Sequence, residues 1–244
     1  MGINKRRKNM AIATGLSGIR KKIEDRRGGP RANWLRLTDG ESVKLRFISE
    51  LDPDSKFYSE TNGLVIVVPE HTKPKDFKKK AVCTMEDEGQ CFGCEMVKAH
   101  PKTGWASKNK AYANVWVMPQ AKKGKDTVDP HVAILSFAVN DKSDIWLTLL
   151  TEYEENEAIS NRIWTLSRTG ANFNNTKYLL RGGNTEAEPF VYDEDVVPYD
   201  LEKVCIRNIP YAEQEAFYFG GEPGEDDDND DEPAGRGQST SDWD

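Results

Sequence analysis

Apolar and polar residues alternate along much of the middle of the chain, and a period of two marks strands with one buried face. Val43, Leu45 and Phe47 interleave with Lys44 and Arg46, and Ala113, Val115 and Val117 interleave with Tyr112, Asn114 and Trp116. Trp34 to Thr38 and Ser42 to Ile48 are predicted as a hairpin over Asp39-Gly40. Further strands are predicted at Leu64 to Val68, Ala111 to Met118, Val132 to Val139, Ile163 to Arg168 and Lys177 to Arg181, all rich in β-branched or aromatic residues. The period changes once. Ile145, Leu149 and Tyr153 recur at a spacing of four behind Ser143, predicting a helix from Ser143 to Ile159 with Ser143 as its N-cap. Five or more strands with one helix before the last pair suit a mainly β fold with minor α, a five-stranded Greek-key barrel of OB type, other small barrels being alternatives. Residues 182–221 read only as an extension of this core, with Val204-Cys205-Ile206 as one more strand.

The pattern fails at both ends. Residues 1–30 hold nine Lys or Arg against Glu24 and Asp25, a net +7, whereas residues 222–244 hold ten Asp or Glu against Arg236, a net −9. Three regions follow: a basic arm at 1–29, a folded core at 30–221 and a disordered acidic tail at 222–244. Ile12, Leu16, Ile19 and Ile23 predict a short amphipathic helix in the arm, stopped by Gly28-Gly29-Pro30. The tail ends in Ser241-Asp242-Trp243-Asp244, where Trp243 is a candidate anchor for partner docking. With a total charge of −7, any polyanion must be bound through a local groove and the arm. The longest apolar run, Leu64 to Val68, is far too short to span a bilayer, so a soluble cytoplasmic protein without a membrane partner is expected.

Three of the four cysteines lie within twelve residues, which suits a metal site better than disulfides. In His71-x11-Cys83-x7-Cys91-x2-Cys94, the CxxC pair grips an ion from a tight turn eased by Gly93, and Cys83 with a histidine completes a tetrahedron. Three thiolates and one imidazole favour one Zn2+, and four protein ligands make it structural. His71 is taken as the fourth ligand, with His100 as the alternative; His131 reads as an ordinary strand-end histidine and Cys205 as a buried thiol.

Strand alternation turns Tyr112, Asn114 and Trp116 one way and Ala113, Val115 and Val117 the other, so that one face reads as core and the other as a platform. Lys44 and Arg46 likewise turn away from the core. Exposed aromatics among cations serve unpaired bases by stacking and their phosphates by charge. Lys78, Lys79 and Lys80 beside the metal loop, Lys108 and Lys110, and Arg168, Phe173, Lys177 and Tyr178 near the last hairpin extend the candidate DNA-binding set.

The chain resembles the single-stranded DNA-binding, or helix-destabilising, proteins of T-even and related bacteriophages. The resemblance rests on Trp34-Leu35-Arg36-Leu37 leading to Val43-Lys44-Leu45-Arg46-Phe47, on the His and three Cys, on Tyr112-Ala113-Asn114-Val115-Trp116-Val117, and on Gly170-Ala171-Asn172-Phe173. It implies an OB-fold with an inserted zinc subdomain and a cleft for single-stranded DNA, contacted most directly by Arg46, Tyr112 and Phe173. It also implies a basic arm that binds the neighbouring protomer for cooperative coating, and an acidic tail that contacts replication or recombination proteins. Both long ligand spacings and the core are shorter than the family's, and the arm is longer.

An enzyme or accessory subunit of nucleic-acid metabolism, such as a zinc-containing nuclease, is the alternative from another class. It would need clustered carboxylates or a histidine base, and the dense acids fall in the tail or on one helix at Glu152, Glu154, Glu155 and Glu157. The expectation is therefore a binding protein without catalytic residues.

Overall fold

The computed structural model describes residues 32–119, 129–171, 175–188, 190–192 and 196–220. The expected arm, Phe173, the acidic tail and Trp243 lie outside the described residues.

Among the described residues, seven strands form one antiparallel sheet: β1 (Ser42–Phe47), β2 (Ile66–Lys73), β3 (Asp76–Val82), β4 (Lys108–Val117), β5 (His131–Ala138), β6 (Arg162–Thr169) and β7 (Lys177–Thr185). The order is β3-β2-β4-β1-β6-β7, with β5 also on β4. β4 takes three partners because it is ten residues long. Its first half pairs with β2, from Glu70↔Lys108 to Ile66↔Tyr112, and its end with β1, from Phe47↔Val115 to Leu45↔Val117. β5 runs along its other edge from Lys110↔Ala138 to Val117↔His131. Among the described residues no pairing joins β5 or β7 to a further strand, so the sheet is open where a closed barrel was expected.

Alternation places Val43, Leu45, Phe47, Ala113, Val115, Val117, Leu135, Trp164, Leu166 and Leu180 in the main core. A helix, Asp144–Asn156, packs Ile145 and Leu149 onto them, and Ser143 caps it by accepting from the Trp146 amide. This is the helix that the spacing of four predicts, three residues shorter at its end because Glu157 takes a left-handed conformation, φ 56°.

The hairpin over Asp39-Gly40 does not form. Trp34 bridges Ile134 in parallel, tied by Leu35 N to Ile134 O and Ile134 N to Asn33 O, while β1 takes β4 and β6 as neighbours. The Asp39-Gly40 turn survives and docks on the end of β6, where Gly40 donates to Arg168 O and Asp39 accepts from the Gly170 amide.

The helices among the described residues are, in chain order, α1 (Met85–Glu88), α2 (Phe92–Ala99), α3 (Asp144–Asn156), α4 (Leu201–Cys205) and α5 (Tyr211–Phe219). Val204-Cys205 is helical, contrary to the strand expected there, because Asp200 caps α4 by accepting from the Lys203 amide. α4 brings Leu201 and Cys205 onto Tyr112 and Ile134, covering the middle of the sheet's second face. α5 seats Tyr218 against Ala81 and Trp105, closing a separate small core beside β3. Among the described residues, no helix is long and apolar enough to cross a membrane.

Candidate metal centre and the sheet face beside it

Four ligands converge from three elements. His71 lies on β2, Cys83 follows the last residue of β3, Cys91 is the N-cap of α2, and Cys94 lies in the first turn of that helix. Their donor atoms all lie within 4.8 Å of one another. Cys94 Sγ is 3.5 Å from Cys83 Sγ and 3.4 Å from His71 Nε2. A tetrahedral ion with bonds of about 2.3 Å to sulfur and 2.0 Å to nitrogen would set such edges at roughly 3.5–3.8 Å. The cluster can therefore hold a metal ion, and its donors suit zinc. His71 is the histidine that joins it; His100 caps the end of α2 on the surface, and His131 hydrogen-bonds its own neighbour's carbonyl at Asp129.

Local structure prepares this site. His71 Nδ1 is 2.7 Å from the Trp105 carbonyl, which fixes that nitrogen as the protonated one and leaves Nε2 for a metal. Burial lowers the imidazole's pKa, against a smaller opposing effect of that hydrogen bond, so the neutral ligand form is favoured. Gly93 is required by packing: a methyl group there would sit 2.4 Å from His71 Cγ. Without a cation the thiols oppose one another. Burial, followed by the hydrogen bonds and charges of Cys83 and Cys91, pushes the Cys94 thiol up to about 12, and burial also raises Cys83. Burial works against ionising Cys91 too, but hydrogen bonds from the Cys94 and Thr84 backbone and from the Cys83 and Cys94 thiols together outweigh it and lower its pKa. A divalent cation removes this conflict by replacing the protons.

The supporting shell comes from α5, which no spacing in the sequence announced. Gln214, fully buried, accepts from the Phe92 amide at 2.8 Å and donates to Thr84 Oγ1 at 3.0 Å and Ile209 O at 2.9 Å. Thr84 in turn donates to Gln90 O, so the segment around Cys83 and the CxxC turn are fastened together. Tyr218 donates to the His71 carbonyl and packs edge-on against Trp105 at 4.9 Å. Phe92, between the two CxxC cysteines, stacks on Tyr218.

The face predicted as an open platform is largely covered. Tyr112 is 1% exposed; its hydroxyl donates to Glu70 Oε1 at 2.6 Å and its ring meets Trp34 edge-on. Asn114 is fastened to the backbone of Tyr199 through both amide atoms. The expectation of Tyr112 as a stacking residue is therefore corrected, because residues 199–205 roof it over. Trp116 is half-buried and meets Tyr192 edge-on. Arg46, opposite Trp116 in the β1–β4 register, is buried. It donates to both carboxylate oxygens of Glu186, at 3.0 and 2.5 Å, and its Cζ lies 4.3 Å from the centre of the Phe190 ring.

The remaining candidates divide. Lys44 is exposed in a cross-strand row with Thr165 and the exposed Arg181, continuing the face of Arg46. Lys177 and Leu179 share that face by alternation, whereas Tyr178, opposite Arg168, points to the other side. Arg168 is structural: it donates to Leu37 O at 2.5 Å and Thr176 Oγ1 at 3.3 Å. Lys79 is buried with its ammonium over the Phe217 ring, while Lys78 is exposed and Lys80 half-buried. Lys108, exposed, lies opposite Glu70, and the half-buried Lys110 opposite Val68.

Sequence reasoning overlooked Glu186, Phe190 and Tyr192. The signal was compositional: residues 186–195 carry five acids, two aromatics and no Lys or Arg. Comparison of the chain with family models, curated proteins and solved structures finds no match.

Proposed function

We propose that this is a non-enzymatic single-stranded DNA-binding protein that coats and protects unpaired DNA during replication, recombination and repair, as in the phage family its sequence resembles. His71, Cys83, Cys91 and Cys94 hold one Zn2+ in this reading. Four protein ligands leave no open coordination position, so the ion's role is to order a lobe with only a small core of its own. The open sheet corresponds to an OB-type wall, with the metal lobe beside it.

One observation carries the reading. On the sheet face turned away from the main core, Arg46 and Trp116 stand opposite each other, and Lys44, Thr165 and Arg181 form the next row. Cations at strand spacing match successive phosphates, and the aromatic beside them on β4 offers a base a surface for stacking. Near this face, Ile48, Thr61, Asn62, Phe190, Tyr192, Val196 and Pro198 line a cleft of about 270 Å³. The basic arm adds cooperative contact with the next copy, and the acidic tail with Trp243 recruits replication or recombination proteins.

Titration of the zinc-loaded full chain with oligo(dT), read by tryptophan fluorescence across salt concentrations, tests this. Quenching, preference over duplex and a log–log salt slope of about −0.7 per contacted phosphate are expected. Equal affinity for duplex DNA, or no binding at low salt, overturns the proposal.

A further inference from the structure

Glu186, Phe190 and Tyr192 meet the Arg46–Trp116 pair and present there the groups that a nucleotide would bring. Glu186 places two anionic oxygens on the Arg46 guanidinium, as a phosphate does, and Phe190 lays its ring against the same guanidinium 4.3 Å away, as a base does. Tyr192 continues the series: its ring is 4.8 Å from that of Phe190 and 6.1 Å from that of Trp116, edge-on in both cases. We infer that this segment is an internal mimic of single-stranded nucleic acid, an autoinhibitory strap that an incoming strand displaces from Arg46 and Trp116. The inference rests on the proposed DNA-binding reading and adds regulation to that face.

Three observations separate a strap from an ordinary wall of the core. Glu186 is 43% exposed although its partner is buried, so the carboxylate reaches the guanidinium from the solvent side. Phe190 is 38% and Val191 84% exposed, a poor return of buried area for a core-building segment. The sequence Glu186-Ala187-Glu188-Pro189-Phe190-Val191-Tyr192-Asp193-Glu194-Asp195 interleaves acids with aromatics, the composition of the ligand itself. The buried guanidinium needs an anion, and the exposed side of the pair lets a phosphate replace the carboxylate without leaving that charge unpaired.

The test compares wild-type, E186Q and F190A full-length, zinc-loaded proteins in oligo(dT) titrations at several salt concentrations, with circular dichroism and zinc content confirming the fold. Release of the strap should tighten binding by about fivefold or more. Because the strand reaches Arg46 in wild type and E186Q alike, the log–log salt slope should stay nearly the same while the affinity rises. F190A, altered at a surface ring, keeps the test alive if E186Q fails to fold. Weaker binding by F190A overturns the inference, because Phe190 would then be a stacking platform for the strand. Unchanged affinity in both variants, with wild type binding well, overturns the strap alone; failure of all three proteins to bind overturns the functional reading itself.

Discussion

Replacing Gly93 by alanine tests the assignment of His71 as a ligand without touching a donor atom. The added methyl carbon would lie 2.4 Å from His71 Cγ, 2.6 Å from Cδ2 and 2.8 Å from Cβ. An ordinary carbon contact is about 3.5 Å, so the ring must retreat by about 1 Å. It has little room, since Nδ1 already sits 2.7 Å from the Trp105 carbonyl and Tyr218 holds the His71 carbonyl behind it. Overpacking of this kind costs about 1–3 kcal/mol. Metal sites tolerate displacements of about 0.2 Å, far less than the shift required. Loss of a supporting group alone weakens metal binding about 10- to 100-fold, so expulsion of the imidazole should reach at least the upper end of that range. Competition with a chromophoric chelator measures the affinity, and His100→Ala serves as the control that should change nothing. Unaltered zinc affinity in Gly93→Ala would refute the seating of His71 against α2.

Three further outcomes follow from the packing. Tyr112→Phe strips Glu70 of a buried donor and should cost about 1–3 kcal/mol in urea unfolding while leaving oligo(dT) affinity unchanged; a loss of affinity without a loss of stability would restore Tyr112 to the binding face. Gln214→Ala orphans the Phe92 amide and unfastens Thr84, a cost of about 2–3 kcal/mol or roughly 4 to 12 °C in Tm by calorimetry; an unchanged Tm would show that α5 does not brace the metal lobe. Hydrogen bonding to Arg46 holds the Glu186 carboxyl below its ordinary 4.5, so its contribution is complete above that value and disappears as pH falls through the lowered one. A side-chain NMR titration of Glu186 with an ordinary midpoint would show the pair unformed in solution.

The strands were legible where each residue faces one environment. Val43, Leu45 and Phe47 do so, and so do Ala113, Val115 and Val117, because alternation records a single buried face. The ligands were legible because two turns of chain hold three of them close in sequence. β3 was missed, since Asp-Phe-Lys-Lys-Lys-Ala-Val reads as a solvated charge run; Lys79 becomes a strand residue by laying its ammonium on Phe217, 138 positions away. The platform was misread for the same reason. Nothing local to Tyr112 or Asn114 reports that Leu201 and Tyr199 will cover them. Long-range covers leave no period, but Asp200 before Leu201 was a readable N-cap, and the acids around Phe190 were a readable anomaly.

Gln214 lies 122 positions beyond Phe92, and that separation sets an order of events during synthesis. At about 5–20 residues per second, the finished CxxC turn waits roughly 6 to 24 s for the helix that fastens it. The four metal ligands leave the ribosome long before their brace does. Zinc capture by the nascent chain would protect three thiols through that interval, and the ion would serve first as an assembly jig and only later as part of the finished molecule.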